Sequence, residues 1–209
     1  MKKMTKIICK SLFILLTIFT IQAKGKIVSV GNSEASLTIK VFSSLTCPAC
    51  AIFHSKIFYN LKKDFIDKNL VRFEHHPFPL DLAALNAEII LRCNVDKEKS
   101  FELLGKIYEK QQIWAQGSDI NKINNSLKKI GSEVNLQNED MTNCLKSDKF
   151  QDDILNQRIE AQKKYKIEST PTIFINEKKY VGKIEYSKLK KEVEKNLKRN
   201  GLFKWNLKI

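Results

Sequence analysis

The sequence predicts an α/β fold into which a long all-helical segment is inserted. Three features carry this. Residues 37–75 read as strand, helix, strand; from Leu82 the apolar period is helical for about eighty residues; and from Thr172 the chain returns to a strand before a last helix. These place an α/β domain at residues 24–81 and 165–209 and the helical insertion at residues 82–164. A chain of 209 residues can bury one large core or two small ones. With 43% hydrophobic residues, twelve Phe, seven Gly and four Pro, collagen-like, low-complexity and disordered acidic classes are excluded.

Each element has its own signal. Residues 1–23 carry Lys2, Lys3, Lys6 and Lys10 without an acid, then an uncharged run over residues 11–21, then Ala23. That is the layout of a secretory signal peptide, too short for a membrane span. Ile21 departs from the ideal Ala-x-Ala exit, so an uncleaved anchor is the alternative. Cys9 precedes the apolar run instead of following it, which argues against a lipoprotein box, and it is set aside. Leu37, Ile39 and Val41 alternate with Thr38 and Lys40 in a strand that runs into residues 42–45. Cys50, Phe53, Ile57 and Leu61 then recur at helical spacing, with Thr46 or Cys47 as cap and Pro48 tolerated in the first turn, where its missing N–H costs nothing. A second strand covers residues 70–75 and ends at Pro77, which makes a βαβ unit with a parallel pair.

The insertion follows as Leu82, Leu85, Ile89 and Cys93; Phe101, Leu104 and Tyr108; Ile120 to Ile130; Met141, Cys144 and Leu145; and Leu155 with Ile159. After Tyr165 come a strand at residues 172–175, a turn at Asn176 and Glu177, a strand at residues 179–181 ending at Gly182, and a helix with Leu189, Val193 and Leu197 on one face.

Export leaves Cys47, Cys50, Cys93 and Cys144 where disulfides persist. Cys47 and Cys50 enclose only Pro48 and Ala49, a spacing suited to a local redox pair, which leaves Cys93 with Cys144 as a structural bridge; two buried free thiols are the alternative. A thiol at a helix N-terminus faces unpaired backbone N–H groups and the positive end of the helix dipole, so Cys47 is expected to be the attacking sulfur, its pKa drawn down from about 8.5. Cys50, one turn further in on the apolar face, is expected to resolve. Pro48 and Ala49 are the tuning residues.

The remaining candidates have plainer readings. His54 is a packing or surface residue, with tuning of the pair as the alternative; His75 and His76 are loop or rim residues at a strand end; Asp81 caps the helix that starts at Leu82. A zinc site would need two ligands beyond the cysteine pair, and a c-type haem site would need His in place of Ala51, so no metal or cofactor is expected. The net charge is +14, of which +4 lies in residues 1–23 and +7 in residues 176–209. Concentrated in a patch, it would point to nucleic acid or an anionic membrane. No RNP, zinc-finger or KH signature accompanies it, so a solvated Lys-rich helix is the expected reading and a nucleic-acid partner is not.

At Cys47-Pro48-Ala49-Cys50 and again at Ser169-Thr170-Pro171-Thr172 the chain resembles the thioredoxin superfamily, specifically its DsbA-like exported thiol:disulfide oxidoreductases. The segments FSSLTCPACAIFH, HHPFPLD and STPTIFIN occur in the family's order, with the helical insertion in its place. The resemblance implies a thioredoxin fold, a cis Thr170-Pro171 bond beside Cys47 that forms the substrate-binding edge, and a periplasmic enzyme that passes disulfides to reduced exported proteins. It also implies reoxidation by a membrane quinone reductase of the DsbB type. Isomerase or reductase activity, and a non-catalytic binding module, are the other readings; the module needs neither the intact pair nor the Pro171 loop. Two departures bear on redox poise. Ala49 stands where the best-known members carry His and removes one possible polar contact to the thiolate, so a weaker oxidant than a Cys-Pro-His-Cys member is expected; Lys40 with Val41 lies where a buried acid often sits.

Overall fold

A computed structural model describes residues 27–93, 96–199 and 201; the expected signal peptide and Cys9 lie outside the described residues. The sheet has five strands in the order β1-β3-β2-β4-β5: β1 Val28–Val30, β2 Leu37–Ser43, β3 Val71–Pro77, β4 Thr172–Ile175 and β5 Lys178–Lys179. β2 and β3 run parallel with Val41 opposite His75, while β1 pairs antiparallel to β3 and β4 antiparallel to β2. Parallel strands need a crossover. Here it is helix α1, residues 48–66, in which α-helical Pro48–Ile52 and Tyr59–Leu61 alternate with π-helical Phe53–Phe58 and Lys62–Ile66.

Strand alternation sorts the side chains between two layers. Leu37, Ile39 and Val41 of β2, with Ile173 and Ile175 of β4, pack against Phe53, Ile57, Leu61 and Phe65 of α1 and against Leu189, Val193 and Leu197 of the last helix, α8, Tyr186–Arg199. Phe42 and Phe174 point to the opposite face, where Ala161 and Tyr165 of α7, Asp148–Tyr165, cover them. Helices therefore lie on both faces of the sheet. The turn from β4 into β5 is held to the start of β2 by Asn176, whose N–H donates to Thr38 O at 2.7 Å while its Oδ1 accepts from Thr38 N–H at 2.8 Å. Gly31 has φ +97° and a Cβ there would stand 2.6 Å from Val71 O, so the chain leaving β1 passes too close to β3 for a side chain.

Between β3 and β4 the insertion supplies α2 Leu82–Arg92, α3 Lys97–Glu109, α4 Gln111–Trp114, α5 Ile120–Ser132, α6 Asn138–Leu145 and α7. Its core of Ile90, Leu91, Leu103, Leu104, Ile107, Trp114, Leu127 and Met141 is continuous with Leu45, Cys47 and Cys50. A second cluster of Leu85, Ile89 and Ile154 surrounds a disulfide between Cys93, at the end of α2, and Cys144 of α6, with an S–S distance of 2.06 Å.

The sequence expectations need adjustment in four places. β1 is an additional strand. β3 runs two residues past His75, so His75 and His76 lie within the sheet, not on a loop or rim; His75 is 2% exposed. β5 ends at Lys179, and Val181 is 90% exposed, because the last sheet bond is Tyr180 N–H to Ile173 O and the chain then leaves. In α7 the inward residues are Ile154 and Ala161, and Leu155 and Ile159 face outward.

Candidate active site

β2 ends at Ser43, and the loop Ser44-Leu45-Thr46 carries the chain to α1. Cys47 takes the N-cap position, extended at φ −76° and ψ 118°, and Pro48 occupies the first helical turn. The Cys47 carbonyl accepts from Cys50 N–H at 3.1 Å and Ala51 N–H at 3.2 Å, so the cap is closed by backbone. No side chain caps this helix end, which leaves its free N–H groups turned towards the Cys47 sulfur. Pro48 and Ala49 are exposed; Cys47 is 9% exposed and Cys50 1%. Both cysteines are free thiols.

The pair is electrostatically unequal. The Cys47 pKa is drawn down to about 5, first because the Cys50 thiol donates to its thiolate, then through Thr170 and the backbone N–H groups of Cys50 and Ala49; burial works in the opposite direction. Cys50 moves strongly upward, since its proton is held by Cys47 and burial penalises its charged form. One sulfur is thus a thiolate at neutral pH and the other a thiol.

The Thr170-Pro171 bond is cis, and the loop lies against the reactive thiol: Cys47 Sγ is 3.5 Å from Thr170 O. The Thr170 hydroxyl is buried without another partner, which leaves it available to the thiolate. Thr172 Oγ1 donates to Ser169 O at 2.7 Å and holds the turn into β4.

Residues beyond the motif hold this loop in place. Gln111 of α4, 3% exposed, donates through Nε2 to Leu45 O at 2.7 Å and Cys47 O at 3.1 Å. Asp81 accepts from Ala84 N at 2.7 Å as the cap of α2 and from the Thr46 hydroxyl at 2.7 Å, so the helix start and the cysteine loop share one carboxylate. Below them Glu88 of α2, fully buried, bonds His75 at 2.8 Å and pairs with Arg92. Arg92 and His75 hold the Glu88 carboxylate below its ordinary pKa against a large opposing effect of burial. Sequence reasoning missed Gln111 and Glu88, for a polar residue in an amphipathic helix reads as solvent-facing unless the fold around it is known.

His54 is a packing residue. It is 5% exposed, stacks on Phe58 at 4.8 Å and lies 5.0 Å from the Tyr108 ring, and burial pushes its pKa down to about 3. Lys40 points to the α7 side of the sheet, pairs with Glu177 and sits 5.6 Å from the Tyr165 ring, so it does not reach the Cys50 side. Among the described residues no group of three or more His, Cys, Asp or Glu is arranged to hold a metal ion.

Comparison with known proteins adds to this geometry. The thioredoxin family profile matches residues 22–195. Disulfide bond formation protein D of Bacillus subtilis is 33% identical over 178 residues, spanning 81% of this chain and 76% of the relative. A Rickettsia typhi relative, provisionally named a protein-disulfide oxidoreductase, is 31% identical over 147 residues, or 70% of this chain; the chain spans about half of that protein, 53%. The crystal structure of Wolbachia pipientis alpha-DsbA1 superposes with a TM-score of 0.75 at 24% identity, covering 83% of this chain and 92% of the other.

Proposed function

The chain belongs to the thioredoxin superfamily, among its DsbA-like thiol:disulfide oxidoreductases, and from that membership we propose that it oxidises thiols of exported proteins through the Cys47–Cys50 pair. The observation that carries this reading is the asymmetry of the pair: a thiolate-forming Cys47 at the helix start and a buried, protonated Cys50. In the oxidised enzyme a client thiolate attacks Cys47 Sγ; the Cys47–Cys50 bond breaks and Cys50 leaves with the electron pair and takes up a proton. The client's second thiolate then attacks the client sulfur of the mixed disulfide, and Cys47 departs as thiolate. The client loses two electrons and the pair gains them. Stabilising the departing Cys47 thiolate favours the reduced enzyme, which supports an oxidising poise.

The Thr170 backbone beside Cys47 is the edge on which an extended client segment pairs. Pro48 and Ala49 tune the pair by their backbone alone, as neither presents a polar side chain. Cys93–Cys144 is structural, and residues 82–164 form the insertion that supports the active-site loop through Gln111. The leader over residues 1–23 directs export to the periplasm, and a membrane quinone reductase of the DsbB type restores the disulfide.

The test is substrate trapping. Cys50→Ser whose Cys47 is first converted to a mixed disulfide with thionitrobenzoate should release that thiolate and hold a reduced, unfolded single-cysteine client as a mixed disulfide through Cys47, and the oxidised wild type should convert the thiols of a two-cysteine client to a disulfide stoichiometrically. No trapped adduct would sink the reading. Faster repair of scrambled disulfides than oxidation of free thiols would place the enzyme with the isomerases instead.

A further inference from the structure

Residues 176–209 hold eleven basic and four acidic residues, and the thiol chemistry uses none of them. The fold concentrates them. On α8 Leu189, Val193 and Leu197 are buried, whereas Lys188, Lys191, Lys195 and Lys198 are exposed. Spacings of three, four and three residues stack these lysines in one stripe opposite the buried face. The helix's later acids, Glu192 and Glu194, are half-buried on its flanks, Glu192 lying 3.7 Å from Lys195. Glu192 and Asn196 also line a small cavity with Lys178 and Lys179, so the exposed β5 lysines continue the same surface. Two apolar side chains stand open nearby in sequence: Val181 at 90% and Ile184 at 39% exposure.

Like charges at these spacings weaken a helix, so helix stability gives no reason for an all-Lys stripe. The sequence after Gly201 reads Leu202-Phe203-Lys204-Trp205-Asn206-Leu207-Lys208-Ile209, apolar and aromatic residues interspersed with lysine and without an acid. That is the composition of segments that favour a membrane–water interface. We infer that the α8–β5 face docks peripherally on an anionic phospholipid surface, with the lysine stripe meeting the headgroups. Nucleic acid would answer the charge equally well, but not the open apolar side chains beside it. The inference is independent of the thiol chemistry.

The test is sedimentation with vesicles. The chain from Lys24 onward, which carries every described element, is mixed with phosphatidylcholine vesicles with and without phosphatidylglycerol, at low and high salt. Binding should require phosphatidylglycerol and fall with salt. Lys188→Gln, Lys191→Gln and Lys195→Gln together should weaken it by on the order of a hundredfold, at roughly fivefold per lysine. Unchanged thermal unfolding and Cys47 alkylation would show that the triple variant is folded. Equal binding to pure phosphatidylcholine, undiminished binding of the triple variant, or tighter binding to a short DNA duplex than to the anionic vesicles overturns the inference.

Discussion

Replacing Cys93 and Cys144 together by Ala separates the stability of the fold from its redox chemistry. The bridge ties the end of α2 to α6 and closes 51 residues. On the chain-entropy estimate a loop of that size is worth about 4 kcal/mol. Both cysteines are buried, Cys93 fully and Cys144 to 6% exposure, so reducing solvents do not reach the bond without opening of the surrounding cluster. The assay is urea unfolding followed by far-UV circular dichroism, with the wild type kept oxidised at this bridge. With a slope of about 2–3 kcal/mol per M, the midpoint should fall by roughly 1.5 M, and the thermal midpoint by about 8–16 °C. The slope itself should rise slightly, because the unfolded chain without the cross-link is more expanded. The pH profile of Cys47 should stay where it is, since nothing in the bridge touches that sulfur. A double variant within about 0.5 kcal/mol of the wild type would refute the claim that the closed loop stabilises the insertion.

Further predictions follow from the groups around the cysteine loop. Glu88→Gln leaves buried His75 and Arg92 without their carboxylate and should cost about 3 kcal/mol in urea unfolding; a neutral result would mean that the network is not held as described. Because the folded pKa of Glu88 is depressed, its stabilisation is complete above the ordinary carboxylate pKa of 4.5 and is lost as the pH falls through the lower folded value, so the difference between wild type and Glu88→Gln should shrink in acid. Asp81→Ala removes the cap of α2 and the bond to Thr46, and should lower stability by about 1 kcal/mol; no change would mean that solvent replaces both bonds. Thr170→Ala withdraws a buried hydroxyl that stabilises the thiolate, so the Cys47 titration midpoint should move up by roughly a unit or less, and a downward movement would contradict the assignment.

The legible parts of the fold are those in which one physical signal dominates. Alternation over Leu37, Ile39 and Val41 marked β2, and the 3.6-residue period of Leu189, Val193 and Leu197 marked α8, because each pattern is a face pressed on the same core. The Pro48 position marked the helix start. What escaped was held by partners distant in sequence. β1 has three residues, too few for alternation, and exists because β3 offers it a free edge. Pro77 suggested an early end to β3, yet as the last residue of the strand it gives up no bond that the sheet needs. α7 offered Leu155 and Ile159 as its apolar face, but the cluster around the disulfide selects Ile154 and the sheet selects Ala161, whose small side chain lies against Phe42 and Phe174. In the site, Cys47, Cys50 and Pro171 were legible as local motifs. Gln111 and Glu88 were not, since a buried amide or carboxylate can be recognised only with the carbonyls or cations that satisfy it.

The proposed thiol chemistry requires Cys47 to be a thiolate at neutral pH while Cys50 is not. Alkylation of the reduced protein with iodoacetamide across a pH series, with each cysteine quantified by peptide mass spectrometry, tests this directly. Cys47 should react at a pH-independent rate above neutrality and fall to half near pH 5, with Cys50 protected throughout. A Cys47 midpoint near the ordinary thiol value of about 8.5, or equal rates for the two cysteines, would contradict it.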